Sequence, residues 1–195
     1  MDGKVGSFNR NEERARIAGH EPVSLSGLLK ANDGTYLTGM LLTRKAGELI
    51  PLVVAAAEVI ETGDGNTKAF TGTLANSPIE PGTVVVTDGV ETFADDGCGR
   101  LYGDAGGAGT INYKAGTYVL GFNANVVLAT DVTADYVTKI SGVLDEEADT
   151  GTTGSGIYVA HGTVDGTVLK IGKTVPVEPS AAVLMLLQTN GIYPK

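Results

Sequence analysis

A chain of 195 residues, 42% hydrophobic and 19% charged, is long enough for one large domain or two small ones and too apolar for global disorder. A formal net charge of −9 argues against a phosphate-backbone binder, which needs clustered Lys and Arg. A single cysteine, Cys98, excludes an intrachain disulfide, and no apolar run approaches the ~18 residues of a membrane-spanning helix. The 28 glycines follow no three-residue period, so they fit many short strands joined by tight turns rather than a collagen-like chain.

Residues 1–20 hold four basic and three acidic side chains and show neither alternation nor an apolar signal core. They read as an arm ordered against a partner. Residues 21–57 are neutral and read as β: a strand through Val23, Leu25 and Leu28-Leu29, the turn Asn32-Asp33-Gly34, Tyr36-Leu37, Met40-Leu41-Leu42, the turn Ala46-Gly47, then one apolar strand over 49–57. Residues 58–137 hold three basic and eleven acidic residues, net −8 of the total −9, which marks a separate unit. Its short strands, at 58–61, 68–74, 83–87, 91–94, 99–102, 110–113, 118–122 and 132–137, alternate with Gly/Asp turns and predict a small sandwich-like β-domain. Apolar strands resume at 140–144, followed by an acidic turn at 145–149 and a hairpin over 157–171. Ser180 to Asn190 reads as one helix, capped by Ser180 and stopped by Gly191, with apolar residues around most of its circumference. Such a helix is buried in a core or between subunits.

Chemical motifs are weak. Gly172-Lys173-Thr174 lacks the upstream glycine and the following helix of a phosphate loop, since Thr167 and Val175-Pro176 stand there. The glycine-rich stretch 103–109 reads as a hairpin loop. The acidic turns at Asp95-Asp96 and 145–149 do not match a calcium loop. His20 and His161 are the only histidines, and Cys98 sits in an acidic turn that disfavours a thiolate. No catalytic residue, cofactor site or metal site is expected.

The outer segments carry a resemblance. Thr38-Gly39-Met40-Leu41-Leu42-Thr43-Arg44, Leu49-Ile50-Pro51-Leu52-Val53, Ile140-Ser141-Gly142-Val143-Leu144, His161-Gly162-Thr163-Val164 and the terminal helix with Gly191-Ile192-Tyr193 occur in an order similar to the bacteriophage head decoration protein family of the lambda type. Together they cover 21–57 and 138–195, about half the chain. The middle segment resembles a small β-module recurrent in phage structural proteins, through Gly63-Asp64-Gly65, Phe70-Thr71-Gly72-Thr73-Leu74, Pro78-Ile79-Glu80-Pro81-Gly82-Thr83-Val84, Asp95-Asp96-Gly97-Cys98-Gly99 and Gly109-Thr110-Ile111-Asn112-Tyr113. The resemblance implies a mainly β decoration-protein core (21–57 and 138–195) with one C-terminal helix, interrupted by an acidic β-domain (58–137). It implies a structural virion protein on the outer capsid surface, made in the host cytoplasm, which stabilises the head and is not an enzyme.

Its implied partners are the major capsid protein and two further copies of itself, as a homotrimer at three-fold positions, with no nucleic acid and no membrane. The arm 1–20 would lie along the major capsid protein or add a strand to it, with Val5, Phe8 and Ile17 as apolar anchors and Arg10, Arg14 and Arg16 as polar contacts. The competing expectation is a host-surface glycan-binding module displayed on the virion, using Tyr102, Tyr113 and Tyr118 of the inserted domain as a stacking platform.

Overall fold

In a computed structural model, which describes residues 13–195, the chain is mainly β with one short helix near its C-terminus. The first four strands are β1 (Val23–Leu28), β2 (Thr35–Tyr36), β3 (Leu41–Lys45) and β4 (Glu48–Pro51). Ala46 and Gly47 form the two-residue turn between β3 and β4, with Lys45 paired to Glu48 on either side. The apolar run 49–57, expected as one strand, is two strands in two different sheets. The break falls at Leu52-Val53, where the Leu52 amide returns to Leu41 O at 2.8 Å and the Val53 amide donates to Thr138 Oγ1 at 2.9 Å.

The second unit contains β5 (Val54–Thr62), β6 (Ala69–Thr73), β7 (Val85–Thr87), β8 (Thr92–Asp95), β9 (Arg100–Gly103), β10 (Ala108–Asn112), β11 (Thr117–Gly121) and β12 (Asp131–Val137). They form one antiparallel sheet in the order β5-β12-β7-β8-β9-β10-β11-β6. The end strands β5 and β6 are joined by the short loop 63–68, so the sheet must roll up on itself. Tyr118 of β11 spans to β5 and donates its hydroxyl to Ile60 O at 3.2 Å. Opposite walls of the roll face each other as the layers of a sandwich would, around Phe70, Phe93, Leu101, Leu120, Phe122 and Tyr136. Phe93 and Phe122 meet edge to face with ring centroids 4.9 Å apart. The acidic unit therefore begins at Val54, four residues before the expected boundary at 58.

After Thr138 the chain rejoins the first unit through β13 (Ile140–Leu144), β14 (Ala148–Asp149), β15 (Ser155–Val164), α1 (Ala181–Thr189) and β16 (Ile192–Pro194). The sheet order is β1-β15-β13-β3-β4, with β16 parallel to β15, and β2 pairs with β14. Alternation along each strand sorts two cores. Leu41, Val143 and Val159 face the helix, where Val183 and Leu187 are buried, and Leu42, Leu144 and Tyr158 face Tyr36, Met40 and Leu49. Burying each of those helix side chains contributes roughly 1.5–3 kcal/mol. The hairpin expected over 157–171 is instead one long strand, β15, running through His161-Gly162. Gly162 holds φ 116°, and a Cβ there would stand 2.5 Å from Pro22 Cα, so a glycine is needed inside the strand for close approach of the 21–22 backbone rather than for a turn.

The two units are clasped at the crossing. Thr138 is buried, and Glu80 accepts from the Ile140 amide at 3.0 Å and the Asn190 side chain at 3.4 Å. Because β5 leaves this junction and β12 returns to it, turns 96–99 and 113–116 lie at the near pole of the roll. Loops 63–68, 88–91, 104–107 and 122–130 gather at the far pole.

Candidate functional site

Val5, Phe8 and Arg10, three of the six expected arm contacts, lie outside the described residues. The other three are placed on the chain's own first unit. Residues 13–20, expected to wait for a partner, run along the end of β15. The Asp165 amide donates to Ala15 O at 2.7 Å, the Thr163 amide to His20 O at 3.0 Å, and the His20 amide to Thr163 Oγ1 at 2.7 Å. Ala15 is fully buried in the core beneath the helix, whereas Ile17, the expected anchor, is half-buried.

Both arginines converge on Asp145, whose side chain has no exposed surface. Arg16 reaches it through Nε at 3.2 Å and through its own amide at 3.0 Å, and Arg14 through Nη1 at 3.3 Å. Arg14 also pairs with Glu146. A carboxylate this deep is tolerable only when paired and hydrogen-bonded, and the N-terminal segment supplies both conditions. The described part of the segment, from Glu13 onward, is therefore held on the first unit.

A second surface lies beside the helix. The sequence of α1 carries no charge, and Ser180 caps it by accepting from the Val183 amide. Val183 and Leu187 face inward, yet Met185 is 67% exposed, with Val175 74% and Val177 54% exposed on the neighbouring loop. These valines and Val54 border a groove of 470 Å3 floored by Leu52, Ile171 and Val183. The groove meets α1 through Ser180 and Val183, whereas Met185 stands on the other side of the helix, so the two are separate patches of exposed apolar surface.

The other chemical motifs resolve into structural contacts. Lys173 of the Gly-Lys-Thr sequence pairs with Asp33 at 3.0 Å, and Asp33 also receives the Tyr36 hydroxyl at 2.7 Å and Lys30 at 3.1 Å. Burial pushes the Asp33 carboxyl upward, but those three donors outweigh it and hold the pKa at about 2. Since the folded value lies below the ordinary one, Asp33 stabilises the fold above about pH 4 and loses that contribution as pH falls toward 2. Asp33→Asn should accordingly show a flatter loss of stability across that interval, read by urea unfolding at stepped pH. Parallel pH curves for the two proteins would contradict this.

His20, His161 and Tyr193 form a ring cluster, with the imidazole centroids 4.9 Å apart. Among the described residues, no group of three or more His, Cys, Asp or Glu side chains gathers around a common point. The three tyrosines weighed as a stacking platform do not share a face: Tyr118 is buried, Tyr113 is half-buried with its hydroxyl on Asp95, and Tyr102 is exposed.

Comparison with protein-family models, with curated proteins and with solved structures returns no match.

Proposed function

We propose that this chain is a structural, non-enzymatic virion protein that binds the outer surface of a phage capsid and stabilises it, assembled with further copies of itself. The observation that carries the reading is exposed apolar surface at two places on the first unit, Met185 on the outer side of α1 and the valine-bordered groove against its N-terminal turn, which suits a protein that works in an assembly rather than alone. The order of decoration-protein-like segments in the first unit names the assembly. The clamped segment 13–20 supports an attachment role for the residues before it, because a tether departing from a fixed point loses less freedom on binding than a free tail. Directed away from the shell, the acidic roll would keep particles apart through its charge.

The occupant proposed for the α1 face is a second copy of this chain. Met185→Glu places a charge on that face without disturbing the inward residues, and is expected to reduce the self-association seen by light scattering while circular dichroism stays unchanged. An unaltered molar mass would remove α1 from the interface. Capsid attachment is tested by co-sedimentation with expanded, undecorated capsids. A protein lacking residues 1–12 keeps the Asp145 clamp and is expected to bind at least about a hundredfold more weakly than the full chain, the loss appropriate to a few buried contacts. Failure of the full chain to sediment with any such capsid would overturn the proposal.

A further inference from the structure

The near pole of the inserted roll holds a groove of 590 Å3 that belongs neither to the arm nor to the helix face. Its lining is largely apolar, with Pro78, Pro81, Ile111 and the aromatic Tyr113. The charged side chains lining it are Lys114 and Lys139, on a chain of net −9. They come from different walls, Lys114 from the β10–β11 turn and Lys139 from the junction, where its amide is fixed on Pro78 O at 2.8 Å. Neither lysine forms an ion pair among the described residues.

The nearby carboxylates are turned away and occupied. Asp95 accepts from the Gly82 amide at 2.7 Å, the Gly97 amide at 2.9 Å and the Tyr113 hydroxyl, and Asp96 accepts from the Cys98 and Arg100 amides at 2.7 and 3.1 Å. The Tyr113 hydroxyl also accepts from the Gly99 amide at 2.8 Å, so the hydroxyl is engaged as donor and acceptor and the ring is the part of Tyr113 left for a ligand.

We propose that this groove binds a sugar acid: a ring with one apolar face lying on Tyr113 and the prolines, and a carboxylate held between Lys114 and Lys139. The volume suits one or two sugar rings. Two ammonium groups above an apolar floor complement a carboxylate on an otherwise apolar-faced body. An acidic peptide fits less well, because the groove lies at strand ends, between turns, and offers no free sheet edge along which a peptide backbone can pair. The inference is independent of capsid attachment, since none of these residues belongs to the clamp or to the α1 face.

Cys98, the chain's one cysteine, is exposed on the wall of this groove and supplies the reporter. Alkylation of the full chain by iodoacetamide, a neutral reagent, is timed with glucuronate, glucose or acetate present at equal concentration, and the same ligands are titrated by amide NMR. Glucuronate alone is expected to slow alkylation saturably and to shift the Gly99, Asn112, Lys114 and Lys139 amides. The pair Lys114→Ala with Lys139→Ala should weaken this at least about tenfold, and the two arginine replacements should retain it. Equal protection by acetate would reduce the effect to a simple anion, equal protection by glucose would remove the lysines from recognition, and no saturable effect of glucuronate would overturn the site. An aspartate-rich peptide that protects Cys98 where glucuronate does not would also overturn it, in favour of an acidic protein partner.

Discussion

Asp145→Ala is expected to lower the free energy of unfolding by about 3 kcal/mol and to free residues 13–20 from the first unit. Breaking a buried ion pair by removing one member costs about 3–5 kcal/mol, and the lower end applies because Arg14 and Arg16 retain 24% and 43% exposure and can rehydrate. The loss is not confined to charge. The Arg16 amide also ends on Asp145, and the Ala15 amide on the Asp145 carbonyl, so the clamp fixes the backbone on which Ala15 is buried. Urea unfolding reads the stability, and hydrogen exchange reads the segment: amides of residues 15–20 should exchange far faster in the variant, while those of β7 and β8 in the second unit remain protected. Unchanged protection at residues 15–20 would show that Ala15 and the backbone bonds to residues 163–165 hold the segment alone. If capsid attachment depends on the clamp, the same variant should bind capsids more weakly even though residues 1–12 are intact.

Glu91→Ala is expected to cost about as much, about 3 kcal/mol, but at the far pole of the inserted roll. Glu91 is 3% exposed and has no cationic partner among the described residues. Its two oxygens accept from the Gly107 amide at 2.5 Å and the Asn123 amide at 2.7 Å, so one carboxylate ties together the loops 88–91, 104–107 and 122–130. Removing it leaves two amide donors without their partner, each worth about 1–3 kcal/mol. Gln is a poor substitute, because it presents an NH2 group where an acceptor is needed. The approach is close enough that a Cβ at Gly103 would stand 2.1 Å from Glu91 Oε1, and one at Gly107 2.6 Å, so Gly103→Ala should loosen the same pole by displacing the carboxylate. Thermal unfolding followed through the tyrosines should show the second unit melting earlier in both variants. Wild-type melting in Glu91→Ala would mean that water replaces the carboxylate without cost.

Signals in the sequence match the fold where the physics is local. Ser180 and Gly191 bound the helix as expected, because a cap needs only neighbours within one turn. The Ala46-Gly47 turn places β3 against β4 for the same reason. The break at Leu52-Val53 leaves no trace in an unbroken apolar run, since it depends on Thr138, 85 positions away. Gly162 suggests a turn, and only the approach of Pro22 in the fold shows why a glycine stands inside β15. Asp145 reads as one acid among several in a turn, and only the fold brings it to Arg14 and Arg16, 131 and 129 positions earlier in the chain. Arg14, Arg16 and Ile17 were singled out as contacts of the N-terminal segment, but their partners were sought outside the chain. Lys114 and Lys139 are unremarked in sequence because their shared feature is a groove formed by turns far apart along the chain.

The most direct test of the central claim is electron cryomicroscopy of expanded, undecorated capsids incubated with the full chain. Ordered density is expected for the first unit at three-fold positions of the lattice, with residues before Glu13 continuing into contact with the major capsid protein and the acidic roll pointing away from the shell. Capsids that emerge bare, or density in which the inserted roll faces the shell and the N-terminal segment faces solvent, would contradict it.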